Sequence, residues 1–274
     1  MQQKVMYTKR LCDGLGLVRL CGQAAPPDGD PTELEALMGM AAAGEAAGAK
    51  DLEHLNGAAG AFNSVRMADL ISSVLRLKGT CSPLLDWGCG YGQISWLLRR
   101  RGIQVVPCDI EPPPARKDIP ELGSLDIQYT EDPFRLPFDA ERFGAVISAG
   151  VLEHVADEKG SLREIHRVLE RGGLLFIFML PNRFSWAERL ADLRGISVHP
   201  RKYTSRQASG LLEAYGFSVE SKCRRHFLPR NLTGLSRRIK AAYGRYYYQI
   251  ESADRVLANY LPTCFLSGAL EMIA

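Results

Sequence analysis

The feature that most constrains the fold of this chain is a change of hydrophobic period near residue 80. Before it the apolar residues follow helical spacing, and after it short apolar runs alternate with helical stretches. This alternation is typical of βαβ units and predicts an α/β fold, with a doubly wound and mostly parallel seven-stranded sheet. The predicted strands are Pro83–Trp87, Gln104–Cys108, Leu125–Thr130, Phe143–Ala149, Leu174–Leu180, Phe217–Cys223 and Phe265–Ala274.

Helices are predicted between these strands, at Gln93–Arg101, Glu158–Glu170 and Ser205–Tyr215, and Gly172-Gly173 and Gly216 would end the last two. Asp30-Pro31 predicts the start of an Ala-rich helix, and residues 63–77 carry a second helical stripe. We assign residues 1–62 to an N-terminal helical extension and residues 63–274 to the sheet domain. Residues 224–264 are predicted to be a basic, aromatic helical insert before the last strand.

Composition excludes several classes of protein. Hydrophobic residues make up 46% of the 274 positions, which excludes a disordered chain. No run approaches the roughly 18 apolar residues of a transmembrane helix, and the first ten residues lack the apolar region of a secretory signal. The seven cysteines contain no C-x-x-C pair and predict reduced thiols. A cytoplasmic protein is therefore expected.

The net charge of +3 conceals an asymmetry. Residues 221–250 contain eight Lys or Arg and no Asp or Glu, so the rest of the chain carries −5. The helical face of this segment predicts a helix packed at the sheet edge. A second interpretation is a cover for a substrate pocket, in peripheral contact with an anionic surface such as a membrane or a lipid-linked phosphate.

A glycine-rich segment follows the first predicted strand. It reads D-W-G-C-G-Y-G from Asp86 to Gly92 and leads directly into a helix, whose N-terminal N–H groups can bind an anion. A dinucleotide loop would require a glycine where Gln93 stands. The acid at the loop entrance also disfavours a pyrophosphate and favours a ligand that carries an ammonium beside a carboxylate.

This segment resembles motif I of class I S-adenosylmethionine (SAM) dependent methyltransferases, and the resemblance extends from about Asp69 to Phe217. Arg167 to Gly173, read as R-V-L-E-R-G-G, resembles the family's turn before the fifth strand. The resemblance implies the Rossmann-like methyltransferase fold, SAM as cofactor, and transfer of a methyl group.

The resemblance also assigns cofactor residues. Asp109 would hold the ribose hydroxyls and Asp132 the adenine amino group. Pro133 has no N–H for the adenine ring, so Phe134 is expected to supply it. The full predicted cofactor set is Asp86, Gly88, Cys89, Gly90, Tyr91, Gly92, Asp109, Ile110, Asp132, Pro133, Phe134 and Ala149.

The run V-L-E-H-V at residues 151–155 is similar to that of quinone-biosynthesis O-methyltransferases. In some of them a run E-V-L-E-H binds a divalent metal, but Gly150 replaces the first carboxylate here. Two remaining ligands make a poor site, so no metal is predicted. His154 is the candidate general base, with a packing role as the alternative.

The acceptor residues are the least constrained by the sequence. The candidates are Glu153, Asn182, His199 and Tyr203. The absence of an N-P-P-Y-like run after the fourth strand disfavours adenine or amide nitrogen as the acceptor, so a hydroxyl oxygen of a small or lipid-linked molecule is expected. Two alternatives stay open: a nucleic-acid or protein methyltransferase that uses the basic insert, and an inactive SAM-binding partner subunit. No nucleic-acid module is recognisable.

Overall fold

The computed structural model describes residues 31–46, 57–113, 116–132, 135–195, 199–228, 236–260 and 262–274. Its seven strands are β1 (Leu84–Trp87), β2 (Val105–Asp109), β3 (Gln128–Tyr129), β4 (Phe143–Ala149), β5 (Leu169–Pro181), β6 (Ser221–Arg225) and β7 (Ala269–Ile273). They form one sheet in the order β3-β2-β1-β4-β5-β7-β6. Among them β7 alone runs opposite to the other six, so that it pairs antiparallel with β5 and β6 while all other pairs are parallel. The predicted doubly wound, mostly parallel seven-stranded sheet is therefore confirmed.

Helices cover both faces of the sheet. They are α1 (Pro31–Ala46), α2 (Gly57–Lys78), α3 (Gln93–Arg100), α4 (Pro120–Gly123), α5 (Glu158–Val168), α6 (Trp186–Leu193), α7 (Ser205–Ala214), α8 (Arg237–Arg245) and α9 (Tyr247–Asn259), with 3-10 turns at Arg116–Asp118 and Thr263–Leu266. Polar side chains cap the N-termini of several of these helices. Thr204 and Gln207 form a capping box at α7, and Asp157 and Ser185 cap α5 and α6.

The strands divide the apolar residues between two cores. Leu84 and Leu85 are adjacent in β1 yet belong to different clusters, because side chains along a strand alternate between its faces. The first cluster includes Leu37 of α1 and Ile71 of α2, so the N-terminal helices share a core with the sheet. The second cluster is completed by α5 and α7. Burial of β1 on both faces explains why its sequence is almost continuously apolar.

Several predicted boundaries are wrong. Helix α5 ends at Val168 rather than Glu170, and β5 begins directly at Leu169. Gly172 and Gly173 therefore lie inside β5, where Gly172 has a φ of +74° and the β4–β5 register shifts. The predicted start of the last strand is the 3-10 turn Thr263–Leu266. Helix α6 was missed, although Ser185 supplies a cap for it.

The insert contains two helices rather than one. Helix α8 ends and α9 begins at Tyr246, whose φ of −106° and ψ of 19° break the helical path. Next to the break, Tyr247 is buried and stacks on Phe62 of α2, with ring centroids 3.6 Å apart. The insert is thus packed against helix α2, which begins six residues before the predicted boundary at residue 63. The division into domains stays a prediction.

A buried ion-pair network connects α2, β7, β6 and α9. Arg66 donates to both carboxylate oxygens of Glu271, and both side chains are almost fully buried. Arg225 lies 3.7 Å from Glu271 and 3.4 Å from Glu251 of α9. These charges leave water only because each carboxylate meets a guanidinium. The network therefore fixes the orientation of the sheet edge relative to α2.

Two further expectations concern cysteines and membranes. The five described cysteines are free thiols, four of them buried, while Cys12 and Cys21 lie outside the described residues. In the part of the chain that the structure describes, no helix combines the length and the apolar character that crossing a membrane requires.

Arg66→Met tests the network. It would leave Glu271 buried with Arg225 as its remaining partner, and we expect it to lower the free energy of unfolding by about 3 kcal/mol. Urea denaturation measures this loss. The double variant Arg66→Met/Glu271→Gln should be more stable than Arg66→Met, because it removes the uncompensated charge. Equal stability of Arg66→Met and the unaltered protein would contradict the assignment.

Candidate functional site

The candidate site lies where β1, β2 and β4 end at one edge of the sheet. The parallel register aligns Trp87 of β1 with Cys108 of β2 and Ser148 of β4. The residues that follow these strands therefore meet at the same edge. The strand order also reverses between β1 and β4, and ligands of open α/β sheets bind at such a switch point.

The glycine-rich loop turns sharply after β1. Gly88 has a φ of +67°, a conformation that only glycine adopts without strain. A side chain at this position would also meet Val151 after β4, because an added Cβ would lie 2.6 Å and 2.7 Å from its two γ-carbons. Gly92, with a φ of +86°, then caps the N-terminus of α3. The loop backbone is thus held close to the end of β4.

Asp86 is a buried carboxylate at the base of this loop. Ser95 of α3 donates a hydrogen bond of 2.7 Å to its Oδ2. Burial raises the pKa of Asp86 to about 6, and the hydrogen bond from Ser95 opposes part of that rise. A cationic group placed beside Asp86 would offset the cost of burying its charge.

Asp109 at the end of β2 joins the same loop. Its Oδ2 accepts a hydrogen bond of 2.6 Å from the backbone N–H of Gly90, and its Oδ1 accepts one of 2.7 Å from that of Ile110. Asp109 therefore bonds to the glycine-rich loop that begins directly after Asp86, and the two acids lie close enough for Asp109 to raise the pKa of Asp86. Cys89 and Tyr91 of this loop are buried, and Ile110 is exposed.

The predicted adenine contacts lie on a different loop. Asp132 is exposed, and its backbone N–H donates to the Thr130 hydroxyl at 3.2 Å. Pro133 and Phe134 lie outside the described residues, so the contact predicted from Phe134 stays a prediction. Ala149 is the last residue of β4 and is partly exposed at the switch point.

A group of titratable side chains follows β4. Glu153 is buried, with 1% of its surface exposed, whereas the His154 side chain is 46% exposed. His154 Nε2 lies 3.9 Å from Glu153 Oε1, and its ring centroid is 5.5 Å from that of His199. His199 Nδ1 in turn lies 3.0 Å from Glu188 Oε1 of α6. The sequence did not predict Glu188, which belongs to the missed helix.

The pKa values of this group follow from its burial. Burial raises the pKa of Glu153 to about 7. The hydrogen bond with Glu188 raises the pKa of His199. Burial acts to raise the pKa of Glu188, but its bonds with His199 and Lys202 outweigh this and lower it. The contact between Glu188 and His199 therefore favours the charged form of both side chains.

Glu153, His154 and His199 also form a possible metal-ligand set. Each offers one donor atom, and the three atoms lie within 4.8 Å of one another. A metal was not expected because the run after β4 offers two donors, but His199 supplies a third from a distant segment. One carboxylate and two imidazoles suit a divalent transition metal. The buried Oε2 of Glu153 has no hydrogen-bond partner among the described residues, so the donors fit such an ion.

Two of the predicted acceptor residues have structural contacts. Asn182 is buried, and its amide donates to the carbonyls of Phe265 and Ser267 at 2.9 Å and 2.7 Å. The Tyr203 hydroxyl donates to Glu158 Oε2 at 2.6 Å. Asn182 therefore holds the segment before β7 against the end of β5, and Tyr203 ties its loop to the start of α5. Only Glu153 and His199 of the four candidates lie beside His154.

Arg201 was missed by the sequence analysis. Its guanidinium donates to the backbone carbonyls of Val155 and Ala156, in the loop that follows His154. It thereby ties the His199 segment to that loop. The only signal was the basic run Arg201-Lys202, which is indistinguishable from a solvated loop in the sequence.

Comparison with known proteins shows which family the region around this site resembles. Residues 85–177 match the family model of the methyltransferase domain. This region is a methyltransferase domain. The family and the fold imply SAM as its cofactor, and the predicted resemblance to class I SAM-dependent methyltransferases is confirmed.

Three relatives show how far the similarity extends. A ubiquinone biosynthesis O-methyltransferase of Cereibacter sphaeroides is 36% identical over 110 residues, covering 38% of this chain and 44% of that protein. One from Xanthomonas oryzae pv. oryzae is 35% identical over 142 residues, or 48% and 55% of the two chains. A demethylmenaquinone methyltransferase of Thermus thermophilus is 34% identical over 113 residues, or 39% and 51%. The chain thus spans about half the length of the curated relatives it matches.

A solved structure supports the fold of the methyltransferase domain and of the elements around it. It belongs to a candidate sarcosine dimethylglycine methyltransferase of Galdieria sulphuraria and matches with a TM-score of 0.52. The match covers 82% of this chain and 89% of that chain at 15% identity.

Two glycine variants test the loop geometry. Gly88→Ala and Gly90→Ala both place a side chain at positive φ, which costs about 1 kcal/mol. Gly88→Ala adds the contact with Val151, for about 1–3 kcal/mol more, whereas a Cβ at Gly90 meets nothing within 4 Å. Thermal unfolding should show a larger loss for Gly88→Ala. Equal losses would show that the β1 and β4 loops do not touch.

Proposed function

We propose that this protein transfers a methyl group from SAM to a hydroxyl oxygen of a small-molecule acceptor. The observation that carries this is that Asp109 bonds to the glycine-rich loop directly after Asp86, and that Gly88 of this loop packs against Val151, three residues before His154. A cofactor site and a potential proton acceptor are thereby held at the same switch point.

The cofactor would lie along the loop after β1. Asp86 would face its ammonium, and the N-terminus of α3 would face its carboxylate. Asp109 would exchange its bonds with Gly90 and Ile110 for the ribose hydroxyls, and Asp132 would lie toward the adenine. When bound, SAM supplies a methyl group on a positively charged sulfur, which an oxygen attacks in line.

Positioning would supply most of the rate enhancement. Holding acceptor and methyl donor in line contributes roughly 7–11 kcal/mol, whereas a general base contributes typically 10²–10⁴-fold. His154 would take the hydroxyl proton at Nε2. Glu188 and Arg201 would act as positioning residues, because they fix His199 and the loop after β4 beside it.

The acceptor class rests on the relatives. Two are O-methyltransferases of ubiquinone biosynthesis, and a third is a demethylmenaquinone methyltransferase, which supports a small ring-containing acceptor. A lipid-linked acceptor is compatible with these names. Residues 1–62 would be accessory, and the insert at residues 224–264 would cover the acceptor side.

A divalent ion offers a second way to activate the hydroxyl. Glu153, His154 and His199 would hold it, and a bound ion would lower the pKa of an acceptor oxygen that it contacts. His154 would then be a ligand and not a base, so the two roles of this side chain exclude each other.

The pH dependence of cofactor binding tests the role of Asp86. Because burial raises its pKa to about 6, Asp86 is mainly ionised above that pH and able to pair with the cofactor's ammonium. We expect the affinity for S-adenosylhomocysteine to fall about tenfold from pH 7.5 to pH 5. Calorimetric titration measures this fall.

Asp86→Asn is the control for this titration, because it should bind weakly at both pH values without the slope. An affinity independent of pH would remove Asp86 from the ammonium site. Absence of any binding of SAM or S-adenosylhomocysteine would overturn the proposed function itself.

His154→Gln tests the base against the metal. We expect methyl transfer from labelled SAM to a panel of catechols to slow by about 100-fold or more, with unchanged affinity for S-adenosylhomocysteine. The unaltered protein should keep its activity after dialysis against EDTA. Loss of activity on dialysis, restored by Mn²⁺, would contradict the base and assign His154 to a metal.

A further inference from the structure

A cavity lies at the edge of the sheet where the cofactor loop also lies, but beside β5 and β6 rather than beside β1. We name it the β6 cavity. It has a volume of about 560 Å³ and is bounded by the end of β5, the start of α7, strand β6 and the 3-10 turn before β7. This volume lies within the range of small-molecule sites. Strand β5 lies two strand spacings from β1 and β6 lies four, so at about 4.8 Å per spacing the cavity lies about 10–19 Å from β1 across the sheet.

The walls of the β6 cavity carry an excess of positive charge. Arg206 of α7 and Lys222 and Arg224 of β6 line it, with Glu213 as the one carboxylate among the lining residues. Within the described parts of the chain, none of these three cations forms an ion pair with a carboxylate. The cavity therefore has a net charge of +2 that the fold does not neutralise.

Strand β6 places its basic side chains on two different faces. Side chains alternate along β6, so Lys222 and Arg224 share one face while Cys223 and Arg225 share the other. Arg225 is buried in ion pairs with Glu251 and Glu271. Lys222 and Arg224 instead point to the cavity, where Lys222 lies 3.4 Å from the Ser209 hydroxyl. Pairing of β6 with β7 holds both cations in fixed register.

Two phenyl rings complete the cavity. Phe184 and Phe265 line it and are 42% and 47% exposed. The Arg224 guanidinium lies over the Phe265 ring at 5.0 Å, which orients its fork beside an apolar surface. The amide of Asn182 bonds to the Phe265 carbonyl and so fixes one wall to the other. The N-terminus of α7 adds a favourable dipole for an anion.

We propose that the β6 cavity binds a small phosphate monoester, with the phosphate held by Lys222, Arg224 and Arg206 and an apolar group placed on Phe184 and Phe265. A dianion matches the net charge of +2, and the arginine fork suits phosphate oxygens. The site is separate from the proposed cofactor loop, and the proposal does not depend on methyl transfer.

Calorimetric titration with phenyl phosphate tests the proposal, in the absence of SAM. One saturable site is expected. Lys222→Gln and Arg224→Gln should each weaken binding by about tenfold. Arg76→Gln is the matched control, because it removes one exposed cation of α2 outside the cavity and should leave the affinity unchanged. Thermal unfolding of each variant shows that the fold is intact.

Phe265→Ala separates the two halves of the site. It should weaken phenyl phosphate more than inorganic phosphate, because it removes the apolar contact with the phenyl group as well as the ring that orients Arg224. Binding of vesicles that contain phosphatidic acid, lost in Arg224→Gln, would support the same site with a lipid as the source of the phosphate. No saturation up to about 10 mM phenyl phosphate, or equal affinity in Arg224→Gln and Arg76→Gln, would overturn the proposal.

Discussion

The parallel pairing of β1 with β2 and β4 is the constraint on which the rest of this structure depends. Its register ends the three strands level with one another, so that Asp86, Asp109 and the loop carrying His154 meet without a long connecting segment. Gly88 allows the meeting to be close, since any side chain there would collide with Val151. The site is thus a consequence of strand order and one small residue.

Buried carboxylates mark both halves of the site. Asp86 lies in β1 and Glu153 follows the neighbouring strand β4; each is almost fully buried, and burial raises the pKa of each. By contrast, Glu271 is equally buried but is paired with Arg66. Among the described residues no guanidinium pairs with the carboxylate of Asp86 or Glu153, so a cationic partner would lower the cost of burying either charge.

Much of this architecture could be predicted from the sequence because strands and glycines carry local signals. The run Leu84 to Gly92 specifies a buried strand, a tight turn and a helix start within nine residues. The proximity of His154 to His199 and Glu188 could not be predicted, because it depends on how the segment after β5 folds back beside the loop that follows β4. The bonds from the Asn182 amide to the carbonyls of Phe265 and Ser267 could not be predicted for a related reason, since those residues lie more than 80 positions away in the sequence.

The stack of Phe62 on Tyr247 connects two parts of the chain that lie far apart in the sequence. Phe62 belongs to the helix that precedes the sheet, and Tyr247 starts the second helix of the insert after β6. Removing the N-terminal helices would expose the face of Tyr247 and loosen the insert, although the two lie almost 200 residues apart. A truncation meant to remove the N-terminal extension would therefore also change the far edge of the sheet.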